Sequence, residues 1–114
     1  MKSMNNRVQL IGRLGMDPEV KTFGNDNKMA RISVATSERI KDKNGNYTEQ
    51  TQWHNVIAWG KLADLVSDYL KKGSEICMEG KLGYRNYENK EGKKQYVTEI
   101  VMHEVHFLRP AKSK

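Results

Sequence analysis

Polar and apolar residues alternate along most of the chain, the period of a strand with one covered face. Over residues 6–14, Val8, Leu10, Gly12 and Leu14 fall on one side and Arg7, Gln9, Ile11 and Arg13 on the other. This predicts a first strand, broken by Gly15 and Asp17-Pro18. A turn at Asn25-Asp26-Asn27 leads into a second strand, where Ala30, Ile32, Val34 and Thr36 alternate with Arg31, Ser33 and Ala35. The pair Asn44-Gly45 is the strongest short hairpin signal and introduces a third strand that ends at Gly60.

The period then lengthens. Leu62, Leu65, Val66 and Tyr69 stand at i, i+3, i+4 and i+7, one stripe of a short helix. Asp64 in its first turn and Lys71-Lys72 in its last complement the helix dipole, and Gly73 supplies the stop. A fourth strand starts at Glu75, with Ile76, Met78, Gly80, Leu82 and Tyr84 expected inward. Tyr87 to Lys93 reads as a polar hairpin tip, and the fifth strand runs from Gln95 to Phe107. Five strands with one helix between the third and fourth is the element order of the OB-fold, an all-β, five-stranded Greek-key barrel. Such barrels bind oligonucleotides, oligosaccharides or proteins. Gly12 and Gly80 suit the tight bends of barrel closure.

The third strand holds both tryptophans, Trp53 and Trp59, and their even separation puts them on one face. If Val56 and Ala58 face inward with His54, the indoles face outward together with Asn55 and Ile57. If the indoles face inward, they fill the core and find partners for their N–H groups. The pattern alone leaves both readings open. Tyr87 is clearer, since its neighbours Arg85, Asn86 and Glu88 make burial costly.

Charge adds a direction. Twenty Lys and Arg stand against 14 Asp and Glu, a net charge of +6, and this favours polyanionic partners. Arg7, Lys43, Lys61, Lys72 and Arg85, with Arg13, Arg31 and Lys93, fall on expected outward faces or at element ends. Any one of them reads as ordinary solvated charge; together with the aromatics they suit a groove that tracks phosphates while bases stack. Cys77 is the single cysteine, so neither an internal disulfide nor a cysteine zinc cluster forms. No cofactor motif is found: no Walker loop, dinucleotide fingerprint or calcium loop. His103 and His106 have the wrong interval for one metal-binding face, and His54 has no nearby nucleophile or orienting carboxylate. Nothing points to an enzyme; a nuclease on this barrel needs a carboxylate cluster that the sequence lacks. With no apolar run of membrane-spanning length and no apolar stretch near the start, an intracellular, cytoplasmic protein is expected.

Several blocks resemble bacterial single-stranded DNA-binding proteins. Asn6-Arg7-Val8 with Gly12 to Val20 is similar to their opening, and Ala35-Thr36-Ser37-Glu38 to the end of their second strand. Thr51 to His54, Trp59 to Ala63 and Tyr69 to Ser74 resemble their middle, and Glu79 to Leu82 their fourth strand. The resemblance covers residues 5 to 103. It implies an OB-fold domain over 1–108, with a short basic end over 109–114, that binds single-stranded DNA in replication, recombination and repair. It also implies base stacking at Trp53, Trp59 and Tyr87, phosphate contacts from the cations, and a homotetramer with subunit contacts near the first strand and the His54 side. A further stacking position of the family holds Ile40 here, which offers apolar contact without stacking. Many members of the family continue into an acidic tip, whereas this sequence ends Arg109-Pro110-Ala111-Lys112-Ser113-Lys114: either it was cut or it is a short form, and a short form is expected to lack recruitment of replication and repair proteins through that tip. The alternative within the binding class is a primosomal or mobile-element OB protein that acts through protein partners.

Overall fold

In a computed structural model, which describes residues 5–24 and 27–111, the alternating segments form β1 (Val8–Leu14), β2 (Glu19–Phe23), β3 (Asn27–Lys41) and β4 (Tyr47–Trp59), then helix α1 (Lys61–Tyr69), then β5 (Glu75–Glu88) and β6 (Lys94–Arg109). Asn25 and Asp26, the centre of the expected turn, lie outside the described residues. The strands hydrogen-bond in the order β1-β5-β6-β4-β3-β2, and β1 also pairs with β3 through Arg13↔Ala35 and Leu14↔Val34. That last pairing closes the sheet into a barrel. Among the described residues only β4 and β6 run parallel, meeting at Val56↔Ile100 and Ile57↔Val101.

With β2 set aside, this is the OB-fold with its helix between the third and fourth strands of the barrel. β2 is the additional strand. It pairs with β3 from Glu19↔Arg31 to Phe23↔Asn27, yet all five of its residues are exposed. A strand with no covered face has no burial alternation, so the hydropathy pattern does not mark it.

The core is built from the even positions of β3 and β4 against β5, β6 and α1. Ala30, Ile32, Val34, Val56, Ala58, Ile76, Met78, Ile100 and Met102 are all buried there. A Cβ on Gly12 would stand 2.2 Å from the Ala35 carbonyl oxygen, and one on Gly80 2.2 Å from that of Val101. Both glycines are therefore required by the close passage of a neighbouring strand, and Gly80 lies at a register shift in the β5–β6 ladder.

Helix α1 departs from its expected stripe. Ala63, Val66 and Leu70 are buried and Leu62 is half-buried, while Leu65 and Tyr69 are exposed. The small Ala63 side chain, fully covered, lets the helix backbone approach the barrel, which turns the face toward Ala63 and Leu70. The helix ends at Tyr69 with Leu70 extended, so Lys71 and Lys72 follow it instead of completing its last turn. Gly73, at φ 93°, then donates its N–H to the Leu14 carbonyl at 2.8 Å.

Two hairpins outrun the barrel and stretch the molecule to 55 × 37 × 36 Å. Every residue from Ser37 to Trp53 on the β3–β4 arm is exposed. On the other arm, Leu82 and Tyr84 are exposed where the alternation expects them inward. The reason is topological: β1 accompanies β5 only as far as Val8↔Gly80, and beyond it β5 has β6 alone for a partner.

Candidate nucleic-acid interface

The register of β4 on β3 decides which way the tryptophans face. Val56 and Ala58 lie opposite Ile32 and Ala30, all buried in the barrel. His54, opposite Val34, is half-buried on the same side and shares a hydrogen bond of 2.9 Å between its Nε2 and the Thr36 hydroxyl. The other face therefore carries Trp53, Asn55, Ile57 and Trp59, opposite Ala35, Ser33, Arg31 and Met29. Trp53 is 61% exposed and Trp59 42%. Ile57 between them is buried, so the face presents two separate indole plates instead of one continuous strip.

Each plate is backed by a neighbour. A Cβ on Gly15 would fall 2.2 Å from Cζ3 of Trp53, which means the indole lies against the glycine backbone. Gly15 is itself held by its N–H to the Ser33 carbonyl, at 2.9 Å. At the other plate, the Phe23 ring packs against Trp59 with centroids 6.1 Å apart and planes tilted by 40°. Sequence patterning assigns Gly15 only a strand-breaking role and passes over Phe23, which belongs to the unmarked β2. Arg31 lies on this face and is paired with Glu19 at 2.6 Å.

The expected cations separate into groups. Lys61 opens α1 directly after Trp59-Gly60 and is exposed. Lys72 is exposed, and its backbone N–H donates to the Asp17 carboxylate at 2.8 Å, which fixes it beside the segment that supports Trp53. Lys43 sits at the tip of the β3–β4 arm, in a turn where one Asp42 carboxylate oxygen accepts the N–H groups of Asn44 and Asn46. Arg85, on the β5–β6 arm, lies 3.5 Å from the Glu99 carboxylate. Arg7 is hydrogen-bonded to Glu79 on the side of the barrel where β1 pairs with β5, and no strand pairing brings it to the tryptophan face. Arg13 is a structural tie: half-buried, it donates to the Gly73 carbonyl at 2.7 Å. Lys28 reaches Asp64 of α1 at 2.7 Å, and that hydrogen bond raises its ammonium above the usual lysine range.

Tyr87 pairs with Gln95 through its backbone, and its side chain lies outside the described residues. Ile40, opposite Thr48, is exposed on the β3–β4 arm, and the guanidinium of Arg39, one rung nearer the barrel, stands 4.9 Å over the exposed ring of Tyr47, one rung further out. Among the described residues, no group of three or more His, Cys, Asp or Glu is arranged to hold a metal ion. The arrangement suits planar, weakly polar ligands that carry negative charge along a flexible chain.

Comparison with known proteins gives the same direction. The model of the single-strand binding protein family matches residues 5–108. The chain is 47% identical over 104 residues to single-stranded DNA-binding protein 1 of Chlorobaculum tepidum, covering 90% of this chain and 64% of that protein. It therefore spans a little less than two thirds of that relative's length. It is 46% identical to single-stranded DNA-binding protein 1 of Xylella fastidiosa, covering 90% of this chain and 76% of the relative. In three dimensions it is similar, at a TM-score of 0.82 and 30% identity, to the chain of a solved Plasmodium falciparum SSB complex with ssDNA, over 95% of this chain and 98% of that one.

Proposed function

The chain belongs to the single-strand binding protein family, and we propose that it binds unpaired DNA with little regard to sequence. In doing so it shields and holds open single strands during replication, recombination and repair. The observation that carries this reading is the pair of exposed indoles on one face of β4, with exposed Lys61 two residues after Trp59 in the chain and Lys72 tied through its N–H to Asp17, near the Gly15 support of Trp53. Every base has a π-face, so stacking on an indole is tolerant of sequence and contributes about 1–3 kcal/mol per base.

Trp53, Trp59 and Tyr87 stack bases; Lys43, Lys61, Lys72 and Arg85 contact phosphates along the strand's path, and Arg7 does so at the cost of its pairing with Glu79. The protein orders a strand and makes or breaks no covalent bond, and it acts in the cytoplasm at the nucleoid. The working unit is a homotetramer. Supporting this, β3 pairs with β1 only at Arg13 and Leu14, so the edge of β1 before them has no β3 partner, and Ile11 stands exposed there. The direct test is competition binding with a labelled oligo-dT. Unlabelled mixed-sequence single strands should displace it at concentrations similar to oligo-dT, and duplex of the same length only weakly. Displacement by duplex as readily as by single strand would overturn the proposal.

A further inference from the structure

The outer side of β6 continues the tryptophan face. Val101 lies opposite Ile57 of β4 in the parallel pairing, so Glu99, two residues earlier, projects on the same side as Ile57, Asn55 and Trp53. Across the β5–β6 ladder Glu99 meets Gly83, where no side chain stands over it. The Glu99 side chain is nevertheless only 11% exposed, and its Oε2 is buried with no hydrogen-bond partner among the described residues. The Arg85 guanidinium stands 3.5 Å from the carboxylate without the alignment of a hydrogen bond, and Arg85 is itself 54% exposed. A buried carboxylate oxygen costs free energy unless a donor reaches it. On a face that takes up a polyanion it also repels each phosphate that passes. Both costs are offset when a ligand supplies the donor, and the donors that a single strand brings are the N–H groups of its bases.

We propose that Glu99 is a specificity-determining residue: its Oε2 accepts the exocyclic amino group of a base held on this face, which favours cytosine over thymine at that position. The proposal rests on the reading of the chain as a single-strand binder and adds a preference within it. Cytosine and thymine have rings of the same size and differ at position 4, where cytosine carries an amino donor and thymine a carbonyl acceptor. A carboxylate has acceptors alone. It therefore gains a charge-assisted hydrogen bond from the cytosine amino group and repels the thymine carbonyl. Asn55, on the same face, carries an amide that both donates and accepts, so it serves either base. Arg85 covers the carboxylate until a strand arrives. A passing phosphate draws the exposed guanidinium outward, and the space opposite Gly83 then admits a base edge to Glu99. Stacking still supplies most of the affinity, so the preference is confined to one base position and the binder stays broadly tolerant.

The test measures binding of oligo-dC and oligo-dT, each of roughly 8 nucleotides and within the reach of one OB-fold. The parent is compared with Glu99→Gln, which keeps the size and removes the charge, and with Arg85→Gln, each checked for folding by circular dichroism. In Glu99→Gln the ratio of oligo-dC to oligo-dT affinity should fall at least about 5-fold, because thymine gains and cytosine does not. Arg85→Gln should weaken both strands alike and keep the parent's ratio. A strand-side comparison is independent of any variant's folding: oligo-dC methylated twice on each N4 has no amino donor left. The parent should bind it at least about 5-fold more weakly than oligo-dC. Equal gains for both strands in Glu99→Gln would mark plain repulsion, equal losses a role in the fold, and unchanged affinities no role at all. Each of these overturns the proposal. So would a ratio shifted as far by Arg85→Gln, or equal binding of methylated and unmethylated oligo-dC by the parent. Failure of the parent to bind any of the strands would instead remove the reading on which the proposal stands.

Discussion

The Trp53 indole occupies the space a Cβ on Gly15 would need, so the pose of this plate is set by a residue on another strand. Gly15→Ala should force the ring to swing away and weaken oligo-dT binding in the parent, yet add little to Trp53→Ala. A double-mutant cycle measures this; equal cost in both backgrounds would mean that Gly15 acts through the fold. Because both indoles are exposed, Trp53→Ala and Trp59→Ala should each weaken binding by about 1–3 kcal/mol. Their urea unfolding midpoints should stay close to the parent's. The outward tryptophan face was legible in sequence as one of two parities, and the register against Ala30 and Ile32 resolves it. The support from Gly15 was not legible, because the steric demand comes from a side chain distant in the chain.

Elements with one covered face announced themselves. In β1 and the inner half of β3 burial alternates with the pleat, and their apolar residues mark it, whereas β4 has three covered residues in succession, Val56, Ile57 and Ala58. β2 and the β3–β4 arm have no covered face, so composition there reports solvent and says nothing of pairing. Helix α1 was legible as a helix but not in its rotation, since hydropathy ranks Leu65 above Ala63, whereas close packing on the barrel selects the smaller residue. The rotation has a stability consequence. Leu70→Ala, at a buried position, should lower stability by about 2–5 kcal/mol. Leu65→Ala, on the exposed side, should change it by no more than about 0.5 kcal/mol. Urea denaturation of the two variants distinguishes this face from the one that the apolar spacing predicts.

At the scale of the whole molecule, a closed barrel holds the tryptophan face rigid while two exposed arms extend the surface to 55 Å. A net charge of +6 surrounds it, so association with a polyanion is favoured at a distance and screened by salt. If the exposed Ile11 marks a subunit contact, Ile11→Lys should shift the protein toward smaller species in sizing and light scattering. A single species of unchanged size would place the contact elsewhere. The central claim is that strands stack on the two indoles while lysines and arginines hold the phosphates. Titrating the protein with oligo-dT across a salt series, and following tryptophan fluorescence, tests it most directly. The account predicts strong quenching at low salt and an affinity that falls with salt at a slope of roughly −0.7 for each phosphate neutralised. Fluorescence that stays unquenched at low salt with oligonucleotide in excess would contradict it.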